Sequence, residues 1–341
     1  MTTAEEVAIV VAFSIVTVIG VTGNILVCLV VLLNKPMRTP MNYLLVNLAI
    51  SDLLLLIFFS PTFIFKGAYT HPGGLAGDVL CSLVTGESFA WMGGYASALF
   101  LVAIAIERFY AVTNPHSNLV SITNSNLKIL VVVCWLFAIA WNAIGFIVKR
   151  YNEQLGFCTM EWPADYSFKV YSALCFVVLG VIPICTMCVL YSRVIHQLWF
   201  RREVEQVNNQ EADRQRRKKA TKMVIVVSFI YALSWIPELS IFLIVAYAPT
   251  SIRGDIAYPA SVAMVTFNSA INPIIYSFHN ERFRRHLLNL LRCRVSGGRV
   301  APNNRTVGAG HNNTSAGLQS ISMSDNANKS IAGNKLENQA Y

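Results

Sequence analysis

The sequence predicts an all-α protein: a bundle of seven membrane-crossing helices followed by a short amphipathic helix on the membrane surface. Three observations carry this. Hydrophobic residues make up 55% of the 341-residue chain and charged residues 13%, about half the charged share of a soluble domain. The apolar residues are gathered into long blocks near the ~20 residues that a helical span requires. Lys and Arg are concentrated on alternate connections between the blocks, the bias that orients multi-pass proteins.

The first run, Val7–Leu33, contains no charge and follows Glu5 and Glu6. A cleavable leader has a shorter apolar core after a basic start, so this run is expected to be the first span. Six further blocks follow at Met41–Phe65, Leu80–Val112, Leu127–Val148, Phe168–Leu198, Lys222–Tyr247 and Asp255–Phe278. Hydrocarbon offers the backbone no partners, so each block is predicted to be helical despite its Val and Ile content. One set of connections holds Lys35, Arg38, Arg108, Lys128, the run Arg201, Arg202, Arg214, Arg216, Arg217, Lys218 and Lys219, and the C-terminal arginines. The other set holds Lys66, Lys149, Arg150, Lys169 and Arg253, partly offset by Asp78, Glu153, Glu161 and Asp165. That asymmetry predicts an extracellular amino terminus, a cytoplasmic carboxyl terminus and an odd number of spans.

The expected organisation is a short extracellular terminus at 1–6, a membrane domain at 7–279, a surface helix at 280–293 and a disordered cytoplasmic tail at 294–341. In the surface helix Phe283, Leu287, Leu288 and Leu291 share one face, while Arg282, Arg284, Arg285 and Arg292 are free to meet lipid phosphates. Cys293 at its end is a candidate for palmitoylation, with an unmodified thiol as the alternative. The tail is rich in Gly, Asn and Ser with few aromatics, a composition that does not fold alone. Its Asn-x-Ser/Thr triplets, such as Asn313–Ser315, fall on the predicted cytoplasmic side and are not expected to be glycosylated.

The net charge of +9 does not indicate nucleic-acid binding, because the basic residues flank apolar blocks as membrane-facing loops do. The eight cysteines form no paired Cys-x-x-Cys at zinc spacing. Most (Cys28, Cys134, Cys175, Cys185, Cys188) stand singly in apolar runs, as small buried hydrophobes do. No nucleophile–base pairing marks an enzyme. A transporter would require internal repeats with broken helices or a polar path, and the spans carry too few acids for a conductive one.

The informative residues are the polar ones inside the apolar blocks. Asp52 stands near a span centre, where a carboxylate costs roughly 2.5–3.5 kcal/mol even on insertion scales. It is therefore expected to face the bundle interior, with Asn24, Ser97, Asn268, Ser269 and Asn272 as candidate partners. These neutral oxygen-bearing groups suit an alkali cation with water, or a protonated Asp held by hydrogen bonds. Glu107 and Arg108 close the third span, where the guanidinium can fold back on the adjacent carboxylate. An ordinary interfacial base is the plainer reading of Arg108. Pro183, Pro237 and Pro273 fall within spans and are expected to bend them. Trp235 stands two residues before Pro237.

Taken in order, these motifs resemble the rhodopsin-like (class A) family of G-protein-coupled receptors up to about Arg294. The matching residues are Gly23-Asn24, Asn47-Leu48-Ala49-Ile50-Ser51-Asp52, Glu107-Arg108-Phe109, Trp135, Pro183 with Tyr191, Ser234-Trp235-Ile236-Pro237, and Asn272-Pro273-Ile274-Ile275-Tyr276. The resemblance implies a receptor that moves its helices to activate a heterotrimeric G protein, with no enzyme activity. It further implies an allosteric sodium site at Asp52, Ser97, Asn268 and Asn272, and a rotamer switch at Trp235. Glu107, Arg108, Tyr191, Pro273 and Tyr276 correspond to the coupling switch, and Cys81–Cys158 to the family's disulfide. Arrestin and a receptor kinase at the tail, and membrane lipids, complete the expected partners.

The chain also departs from the family pattern. The third-span motif reads Glu-Arg-Phe where Asp-Arg-Tyr is commonest, and the first outer loop lacks the usual Trp. Cys81 lies two residues farther from Arg108 than is usual, which predicts a bulge or a shifted start to the third span. Arg217 stands where many members place an acid that pairs with the third-span Arg. Repulsion between Arg217 and Arg108 predicts elevated basal signalling.

Thr266 replaces the lysine that retinal needs, so no retinal is expected. The position where amine receptors carry an acid is Ala90, with Glu87 one turn higher and Trp91 beside it. A peptide ligand fits better. The loop Lys149–Lys169 mixes charge signs with Phe157, Trp162 and Tyr166, and Glu238 offers an acid to a basic ligand group. The alternatives are an amine receptor of the same family and a non-signalling seven-helix scaffold or heterodimer partner.

Overall fold

The computed structural model describes residues 3–113, 124–200, 208–248 and 256–295. They belong to one compact unit, Met1–Gly297. Helix α1 (Thr3–Leu33) is the first span. It begins ahead of Val7, so residues 3–6, expected in a terminal segment, are helical. Thr39 caps α2 (Pro40–Phe63) by accepting a bond from Asn42 N at 3.3 Å, with Pro40 in the first turn, where its missing N–H costs nothing. Pro61 lies inside the last turns of α2, a proline within a span that the sequence reading passed over.

The third span comes in pieces: α3 (Gly74–Leu80), a π-turn at Cys81–Thr85, and α4 (Ser88–Thr113). Between them Glu87 has φ 66°, the left-handed region that a side chain disfavours. The expected bulge is therefore present, and it accommodates the long Cys81–Arg108 spacing.

Helix α5 (Asn124–Val148) leads into an antiparallel hairpin, β1 (Lys149–Asn152) and β2 (Phe157–Met160), with Tyr151 opposite Cys158. The hairpin was not foreseen, because four-residue strands leave too little periodicity to read. The fifth span, α6 (Asp165–Cys175) and α7 (Ile182–Ile195), is interrupted by a π-turn at Phe176–Val181 and followed by another at His196–Phe200. Pro183 sits directly after the first π-turn, in α7's opening turn.

Helix α8 (Asn208–Tyr247) starts well before the predicted Lys222. Its added turns are mostly Gln, Glu, Ala, Arg and Lys, good helix formers in water. Helix α9 (Ala257–His279) is the seventh span, with Pro273 inside it. Asn280 Oδ1 accepts from Phe283 N at 3.1 Å and starts α10 (Glu281–Val295). The surface helix buries Phe283 and leaves Leu288 and Leu291 exposed. Cys293 lies in α10, but its side chain falls outside the described residues. The tail and its Asn-x-Ser/Thr triplets lie outside them too.

Six helices among the described residues are long and apolar enough to cross a membrane. Helix α9 is the seventh by position but less apolar, because it carries Ser261, Thr266, Asn268, Ser269 and Asn272, all buried. The polar residues that lower its hydropathy are the ones it hides inside the bundle. The third span is the most enclosed, with 72% of its most apolar window buried against 22% in α5. Helix α4 is thus the central post on which the site is built. Gly93 makes this possible: a methyl there would stand 2.5 Å from Ser51 O and 3.0 Å from Leu55 N of α2.

Candidate functional site

Three sets of polar residues lie along the bundle. Midway, Asp52 is fully buried and accepts from Ser97 Oγ at 3.1 Å and Asn272 Nδ2 at 2.8 Å. One carboxylate thus joins spans two, three and seven. Asn24 does not bond to Asp52. Its Nδ2 donates to Gly20 O at 2.9 Å and across the bundle to Ser269 O at 3.1 Å. Asn268 is buried beside them without a hydrogen-bond partner for either side-chain atom, and Asn24 Oδ1, Ser269 Oγ and Asn272 Oδ1 are likewise unpartnered. Buried oxygens without partners around a carboxylate are what a small hydrated cation would satisfy. Among the described residues no cluster of three His, Cys, Asp or Glu could hold a metal ion.

At one end of the bundle Arg108 folds back on Glu107, with Nε 2.5 Å from Oε2 and Nη2 2.7 Å from Oε1. The fork expected from their adjacency is formed. Tyr191 shares a 3.2 Å hydrogen bond with Ser228 of α8, a partner the sequence did not suggest. Tyr276 is buried with its hydroxyl unpartnered. Arg217 donates from Nη1 to Ala111 O at 2.6 Å, in the last turn of α4. A helix C-terminus carries partial negative charge that suits a guanidinium, so Arg217 is anchored there as well as being a like charge to Arg108. Two residues on, Lys219 pairs with Glu281 of α10 at 2.6 Å.

At the other end the Cys81–Cys158 disulfide ties the π-turn to β2, with Cα atoms 5.8 Å apart. Asp78 accepts from Tyr151 N at 2.9 Å, and Glu153 from Gly74 N at 2.9 Å. The hairpin is therefore fastened to the third span at several points. Beneath it opens a cavity of about 1620 Å³, large enough for a peptide side chain and its neighbours.

Glu87, Trp91 and Glu238 line this cavity, with Trp235 deep in it and Phe157 and Trp162 on the hairpin side. Ala90 does not. It is fully buried in the packed core, while Trp91 and Tyr95 line the wall. Of the loop aromatics, Tyr166 lies outside the residues whose side chains are described. Sequence reading missed Tyr258 and Ser261. The Tyr258 hydroxyl donates to Glu87 Oε2 at 2.5 Å, and Ser261 Oγ donates to Glu238 Oε2. Trp91 Nε1 also donates to Glu87, at 3.3 Å. Thr266 is buried and bonded to Val262 O at 2.7 Å.

Trp235 connects the cavity to the bundle below. Its ring meets Trp91 edge-on at 6.3 Å and Tyr231 at 5.6 Å. Tyr231 OH in turn donates to Leu179 O at 2.6 Å, inside the π-turn of the fifth span. Tyr231 thus gives a carbonyl of this π-turn a side-chain partner.

Comparison with known proteins agrees with this architecture. Residues 23–276 match the model of the 7 transmembrane receptor (rhodopsin family). The chain is 29% identical to a QRFP-like peptide receptor of Branchiostoma floridae, over 85% of this chain and 78% of that one. It is 29% identical to neuropeptide FF receptor 1 of Homo sapiens, over 84% and 70% respectively. It is 31% identical to an allatostatin-A receptor of Bombyx mori, over 82% and 78%.

Proposed function

This chain belongs to the rhodopsin family of seven-transmembrane receptors, and on that premise we propose that it binds an extracellular peptide in the cavity under the hairpin and activates a heterotrimeric G protein at the Arg108 end. The disulfide end then faces outward and α10 lies on the cytoplasmic leaflet, in keeping with the placement of Lys and Arg. The observation that carries this reading is the position of Trp235. Its indole forms part of the cavity wall on the same helix that bears Arg217 against the end of α4. A ligand that displaces the indole therefore acts on the helix that must move to admit a partner, and each ligand favours the arrangement that the other favours.

Several relatives carry peptide-receptor names, which supports a peptide over an amine. So does the alanine at position 90, which offers an amine no acid. Asp52, Ser97, Asn268 and Asn272, with Asn24 behind them, would hold a sodium ion that favours the resting arrangement. Glu107, Arg108, Tyr191, Pro273 and Tyr276 form the coupling switch. Cys293 anchors α10 through a lipid, and the tail serves arrestin and a receptor kinase.

The test is GDP–GTP exchange on purified G protein, driven by the receptor in lipid nanodiscs and screened against a neuropeptide library. A peptide should accelerate exchange, and Arg108→Ala should abolish that acceleration while radioligand binding persists. Exchange left unchanged by Arg108→Ala would overturn the reading.

A further inference from the structure

Two acids from distant parts of the chain, Glu87 ahead of α4 and Glu238 on α8, are buried to 5% and 3% exposure in the wall of one cavity. Both are held by α9, through residues one turn apart. Tyr258 OH donates to Glu87, Ser261 Oγ donates to Glu238, and Ser261 Oγ also reaches Tyr258 O at 2.9 Å. Among the described residues every bond to these carboxylates falls on Oε2, and neither carboxylate forms an ion pair.

The cavity's charges do not balance. Exposed Glu6 and Lys66 at its rim offset one another. Deeper in, two carboxylates face one lysine, Lys149, whose ammonium is bonded to the Gly86 carbonyl instead of to either acid, while His71 in the same wall has its ring nitrogens on Pro72 O and Thr85 Oγ1. A buried carboxylate without a counter-charge is a standing demand for a cation. Glu87 is also the one non-glycine residue at positive φ among the described residues. Glycine would suit that backbone better, so the side chain is kept at the expense of local strain. Trp91, which bonds Glu87, lines the same cavity as Tyr95 and Trp235, and aromatic faces favour cations, arginine most of all.

We infer that the ligand carries a single fixed positive charge, a guanidinium by preference, which seats between Glu87 and Glu238. The inference rests on the cavity being the ligand site. It adds that the cation replaces the Tyr258 and Ser261 hydroxyls as partner to the two carboxylates. Binding thereby draws the third and sixth spans together and releases their shared hold on the seventh.

The test uses purified receptor and two small probes, arginine amide and citrulline amide, which differ in one charge at nearly constant shape. Arginine amide should raise the melting temperature in a saturable way, and citrulline amide should not. Glu87→Gln and Glu238→Gln should each raise the half-saturating concentration of arginine amide by at least about tenfold, and the double variant should not respond. An equal response to both probes, a response to neither, or a response that survives in the double variant would overturn the cation seat. None of these outcomes bears on G-protein exchange, so the receptor assignment stands or falls separately. The two-probe comparison on the unaltered receptor decides the matter even if a variant fails to fold.

Discussion

Gly94 faces the six-membered ring of Trp235: a methyl built on Gly94 would stand 2.6 Å from Cη2 and 2.9 Å from Cζ2. The indole's position thus depends on a missing side chain on the third span. Gly94→Ala should force the ring from its well, at about 1–3 kcal/mol for overpacking, lowering the melting temperature by several degrees and shifting agonist potency. Gly67→Ala is the control, since nothing lies within 4 Å of a methyl there. Equal melting temperatures for the two variants would show that the ring yields without cost.

The bonds to Asp52 lead to a second prediction. Asn272→Ala removes one of its two direct donors and should destabilise the receptor by about 1–3 kcal/mol. Asp52→Asn removes the charge that a sodium ion held among the neighbouring unpartnered oxygens would balance. Unaltered receptor should melt higher in sodium chloride than in choline chloride at equal ionic strength, and Asp52→Asn should erase the difference. A sodium effect that persists in Asp52→Asn would place the ion elsewhere.

How far the sequence disclosed all this depends on what each residue costs when misplaced. Asp52 could be paired with Ser97 and Asn272 from sequence because a carboxylate in hydrocarbon requires partners, and few residues could serve. Tyr258 and Ser261 gave no such signal. A tyrosine and a serine near the end of an apolar block are unremarkable, and only the rotation of α9 about its axis brings them to Glu87 and Glu238. The break before α4 was foreshadowed by the Cys81–Arg108 spacing, but the left-handed φ of Glu87 was not. The π-turn at Phe176–Val181 was hidden because its sequence is as apolar and regular as its flanks. Ala90, located by counting along the helix, is buried in the packed core, because such a count gives a position along the axis and not exposure to the cavity.

Arg217 gives a third prediction, one that separates repulsion from anchoring. If repulsion of Arg108 dominates, Arg217→Ala should quieten the ligand-free receptor. The 2.6 Å bond to Ala111 O points the other way, since it fastens the sixth span to the third. Arg217→Ala is therefore expected to raise ligand-free nucleotide exchange by roughly three- to tenfold, as loss of about 1 kcal/mol or slightly more would. Arg217→Glu, able to pair with Arg108, should lower it. Exchange measured without peptide on both variants distinguishes the accounts, and a fall in the alanine variant would favour repulsion.

The last prediction concerns pH. Burial pushes the Lys149 ammonium below its ordinary 10.5, while the charge of Glu87 acts in the opposite direction and more weakly. As pH rises past the lowered value, the folded receptor gives up a proton that the unfolded chain retains until about 10.5. The unfolded state then binds more protons, so stability increases with pH through that window. Below it Lys149 is charged in both states and the burial penalty is felt in full. Lys149→Met keeps the length of the side chain and removes the ammonium, along with its bond to the Gly86 carbonyl. Tyrosines and cysteines titrate in both proteins, so the measured quantity is the difference between their melting-temperature profiles from pH 8 to 10. The unaltered receptor should gain on the variant as pH rises. Parallel profiles would mean that Lys149 keeps its proton throughout, with Glu87 compensating for burial.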